Sequence, residues 1–440
     1  MFLVSGGRRL CGELEVGCAK NAVLPILAAA MLTDTPVTVE DCPNLVDARN
    51  MLSILETLGC RVERRGREVR LDASRAENHE MPEKLSKRLR SSIFMLGPLV
   101  ARFGRARVSY PGGCEIGQRP IDLHLKGLRA LGVQIRETHG MIECEGARLR
   151  GADVYLDFPS VGATENVMMA AVLARGKTTI HNAAREPEVA DLIGFLNKMG
   201  AKIDGAGCGI ITIEGVEKLH GAQHRIMPDR IEAGTLMVAS AISEGDILLK
   251  GIGMQEMAAV SAKLSAAGAR IQTERNGIRI RAKGRPRATD IRTMPYPGFP
   301  TDMQPQFMAL MARAEGASVI SETIFENRFR HVPEMRRMNA DIRVIGDSAI
   351  VYGREHICGA CVETPDLRAG AALVLLALAA DGRTVIEQIH YIDRGYQNLE
   401  YSLSALGASI QRETAEAETE MAELPRRAPG ELVPAEISQF

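Results

Sequence analysis

The hydrophobic and polar positions of this chain repeat with a period of about 70 residues. Six helix-like apolar stretches each end on a residue that suits a left-handed C-terminal cap, and alternating residues after each cap predict a half-buried strand. The cap positions are Gly59, Gly132, Gly200, Gly268, Asn339 and Gly407. Asn339 fits this series because asparagine tolerates the left-handed conformation better than most residues with a side chain.

A second series of helix-like stretches runs out of phase with the first and leads into short β-rich segments. These stretches end at Asp34, Gly104, Gly176, Gly245, Gly316 and Gly382. Each unit therefore has two helices and several strands, in an order close to strand, helix, strand, helix, strand, strand. One such unit cannot bury its apolar faces alone, so the six units predict two α/β domains of three repeats each.

The pattern ends near Glu413, and residues 413–440 are rich in Glu, Ala and Pro. This composition predicts a disordered tail, which is a candidate binding segment for a protein partner. The longest apolar run, residues 371–380, is too short to span a bilayer, so no membrane insertion is expected.

The composition argues against a nucleic-acid-binding, membrane-binding or disulfide-linked protein. With 54 basic and 55 acidic residues, no global charge favours nucleic acid or an anionic membrane, so an anion-binding site must be local. Nine cysteines, an odd number, without a recognisable leader predict a reducing, cytoplasmic setting instead of a disulfide framework.

The first candidate for a residue of a functional site is Lys20, with Asn21 beside it. Both precede an apolar helix predicted to begin at Ala22, with Pro25 in its first turn. A lysine charge combined with free backbone N–H groups suits a phosphate or carboxylate. A solvated lysine is the simpler interpretation of this position taken alone.

Residues 111–120 place three glycines around Cys114 and end with Arg119 and Pro120. The glycines predict a mobile loop, and Arg119 would favour the cysteine thiolate if the loop folds back. A loop with a reactive thiol suits a lid that brings an acid onto bound substrate. The alternative is a surface turn with an incidental cysteine.

Asp302 follows two prolines and a glycine just before a predicted helix, where it is either a helix N-cap or a general base. Arginines recur near helix ends at Arg90, Arg328, Arg368 and Arg394. Each one alone is explained by a structural ion pair. A doubly anionic small molecule, however, needs several such donors at once.

Two further motifs receive structural interpretations. Cys358 and Cys361 form a C-x-x-C pair without a second ligand pair, so they are predicted to be two strand cysteines and no metal site is expected. Ser160 lacks the neighbouring spacing of a nucleophile elbow or phosphate loop and is predicted to cap the following helix.

Taken together, five segments in order resemble the UDP-N-acetylglucosamine 1-carboxyvinyltransferase family over residues 3–412. They are residues 19–22, 96–104, 111–124, 182–188 and 392–396. The resemblance implies two inside-out α/β barrel (prism) domains, each of three βαβαββ repeats with the helices inward. It assigns residues 1–20 and 229–412 to a C-terminal domain and residues 21–228, with the Cys114 loop, to an N-terminal domain. The active site would then lie in the cleft between them.

The resemblance also implies the reaction. The enolpyruvyl (carboxyvinyl) group of phosphoenolpyruvate would move to the 3′-hydroxyl of UDP-N-acetylglucosamine by addition and elimination, releasing phosphate without a metal or organic cofactor. This would be the first committed step of peptidoglycan precursor synthesis in the cytoplasm, and it would tie the protein to cell wall biogenesis, cell shape, division and the cell cycle. Sensitivity to an epoxide phosphonate of the fosfomycin type would follow.

Matched position by position, the family assigns roles to specific side chains. Asp302 would accept the proton of the sugar hydroxyl, and Cys114 would protonate C3 of phosphoenolpyruvate. The residues implied around phosphoenolpyruvate are Lys20, Asn21, Arg119, Arg328, Arg368 and Arg394. Those implied around the sugar nucleotide are Arg90, Arg119, Pro120, Ile121, Asp122, Leu123, Ser160, Val161, Asp302 and Ile324.

Two other functions remain open from the sequence. The sister transferase that acts on shikimate 3-phosphate would share the fold, but it typically has Lys-Ser where this chain has Lys20 and Asn21, and it lacks the cysteine loop. A catalytically silent paralogue that binds a UDP-sugar for regulation is the second alternative, and the retained Cys114 and Asp302 argue against it.

Overall fold

Two separate hydrophobic cores organise the residues described by the computed structural model, which are 1–110, Gly112 and 121–413. One core contains buried side chains from Ala19 to Ile226, and we call this part the N-lobe. The other core combines Phe2 to Val16 with Ile231 to Ile410, and we call it the C-lobe. The chain therefore passes between the lobes twice.

The helices of the described residues are short. They are α1 (Lys20–Ala29), α2 (Val46–Thr57), α3 (Glu83–Arg88), α4 (Leu96–Phe103), α5 (Asp122–Ala130), α6 (Val161–Ala171), α7 (Pro187–Lys198), α8 (Arg230–Ile242), α9 (Ala258–Ala266), α10 (Gln304–Ala312), α11 (Val332–Arg337), α12 (Leu367–Leu378) and α13 (Leu399–Ala405). Four 3₁₀ segments add Ala30–Leu32, Arg90–Met95, Thr301–Met303 and Ile389–Arg394. Within this part of the chain, no helix combines the length and apolar character needed to cross a membrane.

The strands are equally short. In the N-terminal half they are β1 (Phe2–Ser5), β2 (Cys11–Glu15), β3 (Val37–Glu40), β4 (Arg61–Arg65), β5 (Glu68–Asp72), β6 (Arg105–Ser109), β7 (Gln134–Thr138), β8 (Met141–Glu145), β9 (Asp153–Tyr155), β10 (Lys177–His181), β11 (Lys202–Asp204), β12 (Ile210–Glu214) and β13 (Gln223–Arg225). The C-terminal half has β14 (Asp246–Lys250), β15 (Arg270–Glu274), β16 (Gly277–Arg281), β17 (Ile291–Arg292), β18 (Ala317–Ser321), β19 (Asp341–Ile345), β20 (Ser348–Tyr352), β21 (Ile357–Cys358), β22 (Cys361–Glu363), β23 (Ala380–Asp381), β24 (Arg383–Glu387) and β25 (Ser409–Arg412).

The predicted caps are confirmed. All six cap positions have positive φ, from 71° at Asn339 to 107° at Gly268. A strand follows each cap, namely β4, β7, β11, β15, β19 and β25. Left-handed backbone at the end of a helix turns the chain sharply, so each helix leads directly into an outer strand.

Strand pairing explains how the two ends of each lobe meet. β1 pairs with β24 and β25, and β2 lies parallel to β14, so the first two strands belong to C-lobe sheets. β13 lies parallel to β3 and closes the first N-lobe sheet from the other end of that lobe. The sheet orders are β13-β3-β5-β4, β6-β8-β7 and β11-β12-β10-β9 in the N-lobe, and β15-β16-β14-β2, β17-β18-β20-β19 and β22-β24-β1-β25 in the C-lobe.

The helices at the lobe centres are buried on all sides. In the C-lobe every residue of α10 is buried, and α8 and α12 are buried almost throughout. A helix that is apolar all round belongs inside a core, whereas the strands alternate buried and exposed residues. The sheets therefore lie at the outside, and in the C-lobe α8, α10 and α12 occupy the centre.

One detail of the sequence prediction is wrong. Helix α1 begins at Lys20, not Ala22, so Pro25 lies inside the helix and not in its first turn. The earlier start arises because Ala19 pairs with the second crossing, its N–H donating to Met227 O at 2.9 Å, and because Asp229 accepts the Lys20 N–H at 3.2 Å. Pro25 then lacks the N–H that would bond to the carbonyl of Asn21, a cost that the buried helix tolerates.

Candidate active site

Asp229 joins the starts of two inner helices where the chain crosses between the lobes. Its Oδ1 accepts the N–H groups of Ile231 at 2.8 Å and Glu232 at 3.1 Å, which caps α8. Its Oδ2 accepts the N–H of Lys20, the first residue of α1, at 3.2 Å. Because helix N-termini carry partial positive charge, both helices direct that charge to one place.

Lys20 and Arg394 meet at a carboxylate that the sequence analysis missed, Asp47 in the first turn of α2. Lys20 Nζ lies 2.9 Å from Asp47 Oδ2, and Arg394 Nε donates to Oδ1 at 3.0 Å. The Asp47 side chain is only 3% exposed. Burial raises the pKa of Asp47, but Lys20 and Arg394 together outweigh burial and hold that pKa below its ordinary value.

Asp302 lies between two buried arginines of the C-lobe. Arg328 Nη2 donates to its Oδ1 at 3.1 Å, and Arg368 Nη2 donates to its Oδ2 at 2.9 Å. Asp302 remains 23% exposed, whereas the two arginine side chains are 2% and 4% exposed. The N-cap of α10 is Met303, without a side-chain bond, so the interpretation of Asp302 as the cap of that helix is wrong.

Arg368 is fixed from several sides. Burial on its own would lower the pKa of Arg368, but Asp302, Tyr396 and Asp229 raise it above the ordinary value. Its guanidinium lies 5.5 Å from the centre of the Tyr396 ring. The Tyr396 hydroxyl is bound in turn by Thr235 Oγ1 at 2.9 Å and by Gln306 Nε2 at 3.2 Å. The arginine therefore rests on a buried polar network of the C-lobe core.

Glu322, directly after β18, organises the backbone around Asp302, and the sequence analysis missed it as well. Its Oε2 accepts the Thr301 hydroxyl at 2.9 Å, which holds the residue next to Asp302. Its Oε1 accepts the N–H groups of Ile324 at 2.9 Å and Phe325 at 3.1 Å. Glu322 is 3% exposed. One buried carboxylate thus joins the Asp302 segment to the segment that contains Ile324.

The other predicted residues lie on the N-lobe, where the starts of α5 and α6 meet. Ser160 caps α6, as predicted, since its Oγ accepts the Ala163 N–H at 3.3 Å. His124 of α5 lies beneath this turn, because a Cβ placed on Gly162 would be 3.0 Å from the His124 ring. Burial, with a smaller effect of Arg90, lowers the pKa of His124 to about 4. The imidazole is therefore neutral near pH 7 and adds no charge to this surface.

The structure brings the predicted residues together in three groups. Lys20, with Asn21 next to it, and Arg394 meet at Asp47. Asp302 contacts Arg328 and Arg368 and is joined through Glu322 to the segment that contains Ile324. Arg90, Ile121, Asp122, Leu123, Ser160 and Val161 lie at the starts of α5 and α6 and on the adjoining 3₁₀ segment. Cys114, Arg119 and Pro120 lie outside the described residues, as does the predicted tail after Glu413.

The C-x-x-C motif has the predicted structural role. Cys358 ends β21 and Cys361 begins β22, and both are exposed free thiols. Over residues 1–110 and 121–413, no three His, Cys, Asp or Glu side chains lie close enough together to hold a metal ion.

The sequence matches the family described as EPSP synthase (3-phosphoshikimate 1-carboxyvinyltransferase) over residues 4–403. A UDP-N-acetylglucosamine 1-carboxyvinyltransferase of Myxococcus xanthus is 53% identical over 417 residues, covering 94% of this chain and 99% of the relative. Another of that name, numbered 2, from Caldanaerobacter subterraneus is 50% identical over 412 residues, covering 93% and 99%.

Solved structures are similar over the same span. The enolpyruvyl transferase NikO from Streptomyces tendae superposes with a TM-score of 0.84 at 28% identity, covering 93% of this chain and 98% of that one. An EPSP synthase from Acinetobacter baumannii has a TM-score of 0.72 at 21% identity, covering 93% and 99%, which shows likeness of fold alone. The predicted α/β fold class is confirmed.

Proposed function

Because this chain belongs to the EPSP synthase family of enolpyruvyl transferases, we propose that it transfers the enolpyruvyl group of phosphoenolpyruvate to the 3′-hydroxyl of UDP-N-acetylglucosamine and releases phosphate. The acceptor follows from relatives at 50% and 53% identity, aligned over nearly the whole chain, whose names specify that sugar nucleotide. The reaction is the first committed step toward peptidoglycan precursors.

The observation that carries the chemistry is the placement of Asp302. Its carboxylate is held by Arg328 and Arg368 and is still 23% exposed, so it is oriented yet accessible. Lys20 and Arg394, which meet at Asp47, supply two further cations. Fixed cations of this kind suit phosphoenolpyruvate, whose phosphate and carboxylate both need charged donors.

In the proposed mechanism the sugar oxygen attacks C2 of phosphoenolpyruvate while Asp302 takes its proton. A proton from Cys114 adds to C3, which becomes a methyl group, and a tetrahedral intermediate that still carries phosphate forms. The C2–O bond to phosphate then breaks as the methyl group loses a proton, which restores the double bond. Lys20, Arg119 and Arg394 neutralise the charge of the departing phosphate.

The sugar nucleotide would bind at the starts of α5 and α6. Backbone N–H groups at these helix ends suit its diphosphate. Its proposed contacts are Arg90, Arg119, Pro120, Ile121, Asp122, Leu123, Ser160, Val161, Asp302 and Ile324. The proposed domain division, residues 1–20 with 229–412 and residues 21–228, would place both substrates in one cleft that closes on them, with the Cys114 loop as its lid.

The proposal also covers the cellular location of the enzyme and its binding partners. The free thiols of the described residues and the near-neutral charge support a cytoplasmic enzyme without nucleic acid partners. We also propose that an epoxide phosphonate of the fosfomycin type alkylates Cys114, and that the tail after Glu413 binds a protein partner. Through peptidoglycan the enzyme would support cell wall biogenesis, cell shape and division.

Phosphate release from the purified full-length protein tests this function. We expect release with phosphoenolpyruvate and UDP-N-acetylglucosamine together, and none when either is left out. Shikimate 3-phosphate in place of the sugar nucleotide should give no release. If phosphoenolpyruvate releases phosphate with shikimate 3-phosphate but not with UDP-N-acetylglucosamine, the protein has the sister activity. If neither acceptor gives release, the result would support the silent paralogue.

A further inference from the structure

Asp47 is a buried anion at the point where the two lobes and the crossing meet. Lys20 begins α1 at the crossing, Asp47 belongs to the first turn of α2 in the N-lobe, and Arg394 ends a 3₁₀ segment of the C-lobe. Asp47 and Arg394 are 347 positions apart in sequence. The Asp47 carboxylate therefore holds the start of α1 and a C-lobe segment in fixed positions relative to α2.

The geometry of this contact is directional. Arg394 uses Nε toward Oδ1 at 3.0 Å and Nη2 toward Oδ2 at 3.5 Å, so one edge of the guanidinium faces the carboxylate. Lys20 Nζ approaches Oδ2 at 2.9 Å. A two-point contact sets the plane of a guanidinium as well as its distance, which a single contact with a lysine would not do.

A second contact holds the same two segments together. The N–H of Asn44, just before α2, donates to Gln397 Oε1 at 2.9 Å, three residues beyond Arg394. The lobes are thus in contact through a backbone donor and a charged pair at one place. Without the Asp47 charge, two cations would face each other at a largely buried position, which is electrostatically unfavourable.

We propose that Asp47 is a positioning residue for the phosphoenolpyruvate site: it sets the separation and orientation of Lys20 and Arg394 so that the two cations bind the substrate's two anionic groups together. This inference rests on the proposed function. Asp47 is itself negative, so it acts on the anionic substrate only through the two cations. It also links substrate binding to the contact between the lobes.

The direct test is steady-state kinetics of Asp47→Asn, which keeps the shape and removes the charge. We expect KM for phosphoenolpyruvate to rise about tenfold or more, with KM for UDP-N-acetylglucosamine changed less than about twofold. Asp246→Asn is the matched control, because Asp246 also binds arginines, Arg279 at 2.7 Å and Arg281 at 3.0 Å, on an outer sheet of the C-lobe. That control should leave both KM values unchanged.

A double-mutant cycle separates positioning from general structural damage. If Asp47 acts through Arg394, Asp47→Ala should cost much less kcat/KM in an Arg394→Ala background than in the wild type. Asp47→Glu keeps the charge but displaces it by one methylene. It should also raise KM for phosphoenolpyruvate selectively, by a smaller factor than Asp47→Asn. This variant replaces Asp47→Asn in the test if Asp47→Asn does not fold.

Three results would overturn the inference: an unchanged or lowered KM for phosphoenolpyruvate, an equal rise of both KM values, or additive effects in the cycle. Wild-type turnover is measured first. Failure of the wild type to release phosphate would count against the proposed function, whereas an active wild type with an unaffected Asp47→Asn variant would reject only the positioning role.

Discussion

Three carboxylates of the candidate site are each bound by positively charged or N–H donors. Asp302 is bound by two arginines, Asp47 by a lysine and an arginine, and Asp229 by backbone N–H groups of two helices. Pairing of this kind orients each carboxylate and offsets the energetic cost of burying its charge. A conservative substitution of a group that transfers a proton should therefore affect turnover more than binding.

Asp302→Asn is the first such substitution. The amide keeps the size of the side chain but cannot accept the sugar proton, so we expect turnover to fall by about 10²-fold or more. Binding of UDP-N-acetylglucosamine, measured by calorimetry, should stay within a few-fold of wild type. Turnover at the wild-type rate would remove Asp302 from the role of general base.

Cys114→Ala tests the proposed acid. We expect turnover to be largely lost and, in mass spectra, the adduct of an epoxide phosphonate to be absent, because no thiol remains to open the epoxide. Cys208→Ala, which removes an exposed free thiol elsewhere, should keep both turnover and adduct. An adduct on the Cys114→Ala protein would place the reactive thiol at another residue.

The residue types at the site could be predicted better than their partners. Lys20, Asp302 and the arginines were recognisable from helix-end positions and from the family motifs. Asp47 was not, because an aspartate in the first turn of a helix is common and stabilising on local grounds alone. Its binding to Arg394 joins positions 347 residues apart, and no local pattern encodes such a pairing.

The left-handed cap at the end of a helix recurs in all six units of the fold. Each cap ends a helix and begins a strand, so one backbone conformation used six times connects helices to the outer sheets. The caps were predictable because glycine and asparagine are the residues that favour positive φ. The start of α1 was not, because the crossing strand and Asp229, both distant in sequence, determine it.

A pair of glycines tests the conformational role of a cap. Gly132 has a φ of 93° and open space where a Cβ would lie, so Gly132→Ala should lower the free energy of unfolding by about 1 kcal/mol through backbone strain alone. Gly194 has similar open space but lies within α7, and Gly194→Ala should raise that free energy by up to about 1 kcal/mol. Urea unfolding measures both, and equal effects would contradict the cap argument.

The crossing contains a titratable group, Glu232 in the first turn of α8. A Cβ on Gly17 would lie 2.4 Å from its Oε2, so the carboxyl packs against the first crossing segment. Burial, assisted by the charge of Asp229, raises the pKa of Glu232 from 4.5 to about 8. Because the folded state then holds this proton more tightly than the unfolded state, Glu232 makes stability fall as pH rises from 4.5 to about 8.

Glu232→Gln should remove that dependence. Between pH 6 and pH 8, we expect the free energy of unfolding of the wild type to fall by roughly 2 kcal/mol more than that of the variant, because the amide does not ionise. Urea unfolding across this range measures this difference. Glu56→Gln, on the exposed side of α2, should follow the wild-type pH dependence. Parallel curves for Glu232→Gln and wild type would show that Glu232 titrates normally.

The two lobes are connected by two chain crossings and by hydrogen bonds to carboxylates of the N-lobe. Arg230, just past the second crossing, is bound by Glu188 of the N-lobe at 2.9 Å, and the Tyr296 N–H donates to Glu186 Oε1 at 3.4 Å. The repeats made the two-lobe fold predictable, whereas the contacts between lobes follow only from three-dimensional packing. The proposed cleft would contain residues of both lobes, which is the arrangement that addition of one bound substrate to another needs.

Carrying out the reaction in D₂O tests whether the enzyme works by addition and elimination. Addition and elimination convert C3 of phosphoenolpyruvate into a methyl group with one solvent hydrogen before the double bond is restored. The product, examined by mass spectrometry and proton NMR, should therefore be UDP-N-acetylglucosamine with an enolpyruvyl group on its 3′-oxygen and deuterium in the vinyl CH₂. Product without deuterium would contradict the addition and elimination steps, and absence of the enolpyruvyl product would contradict the proposed function itself.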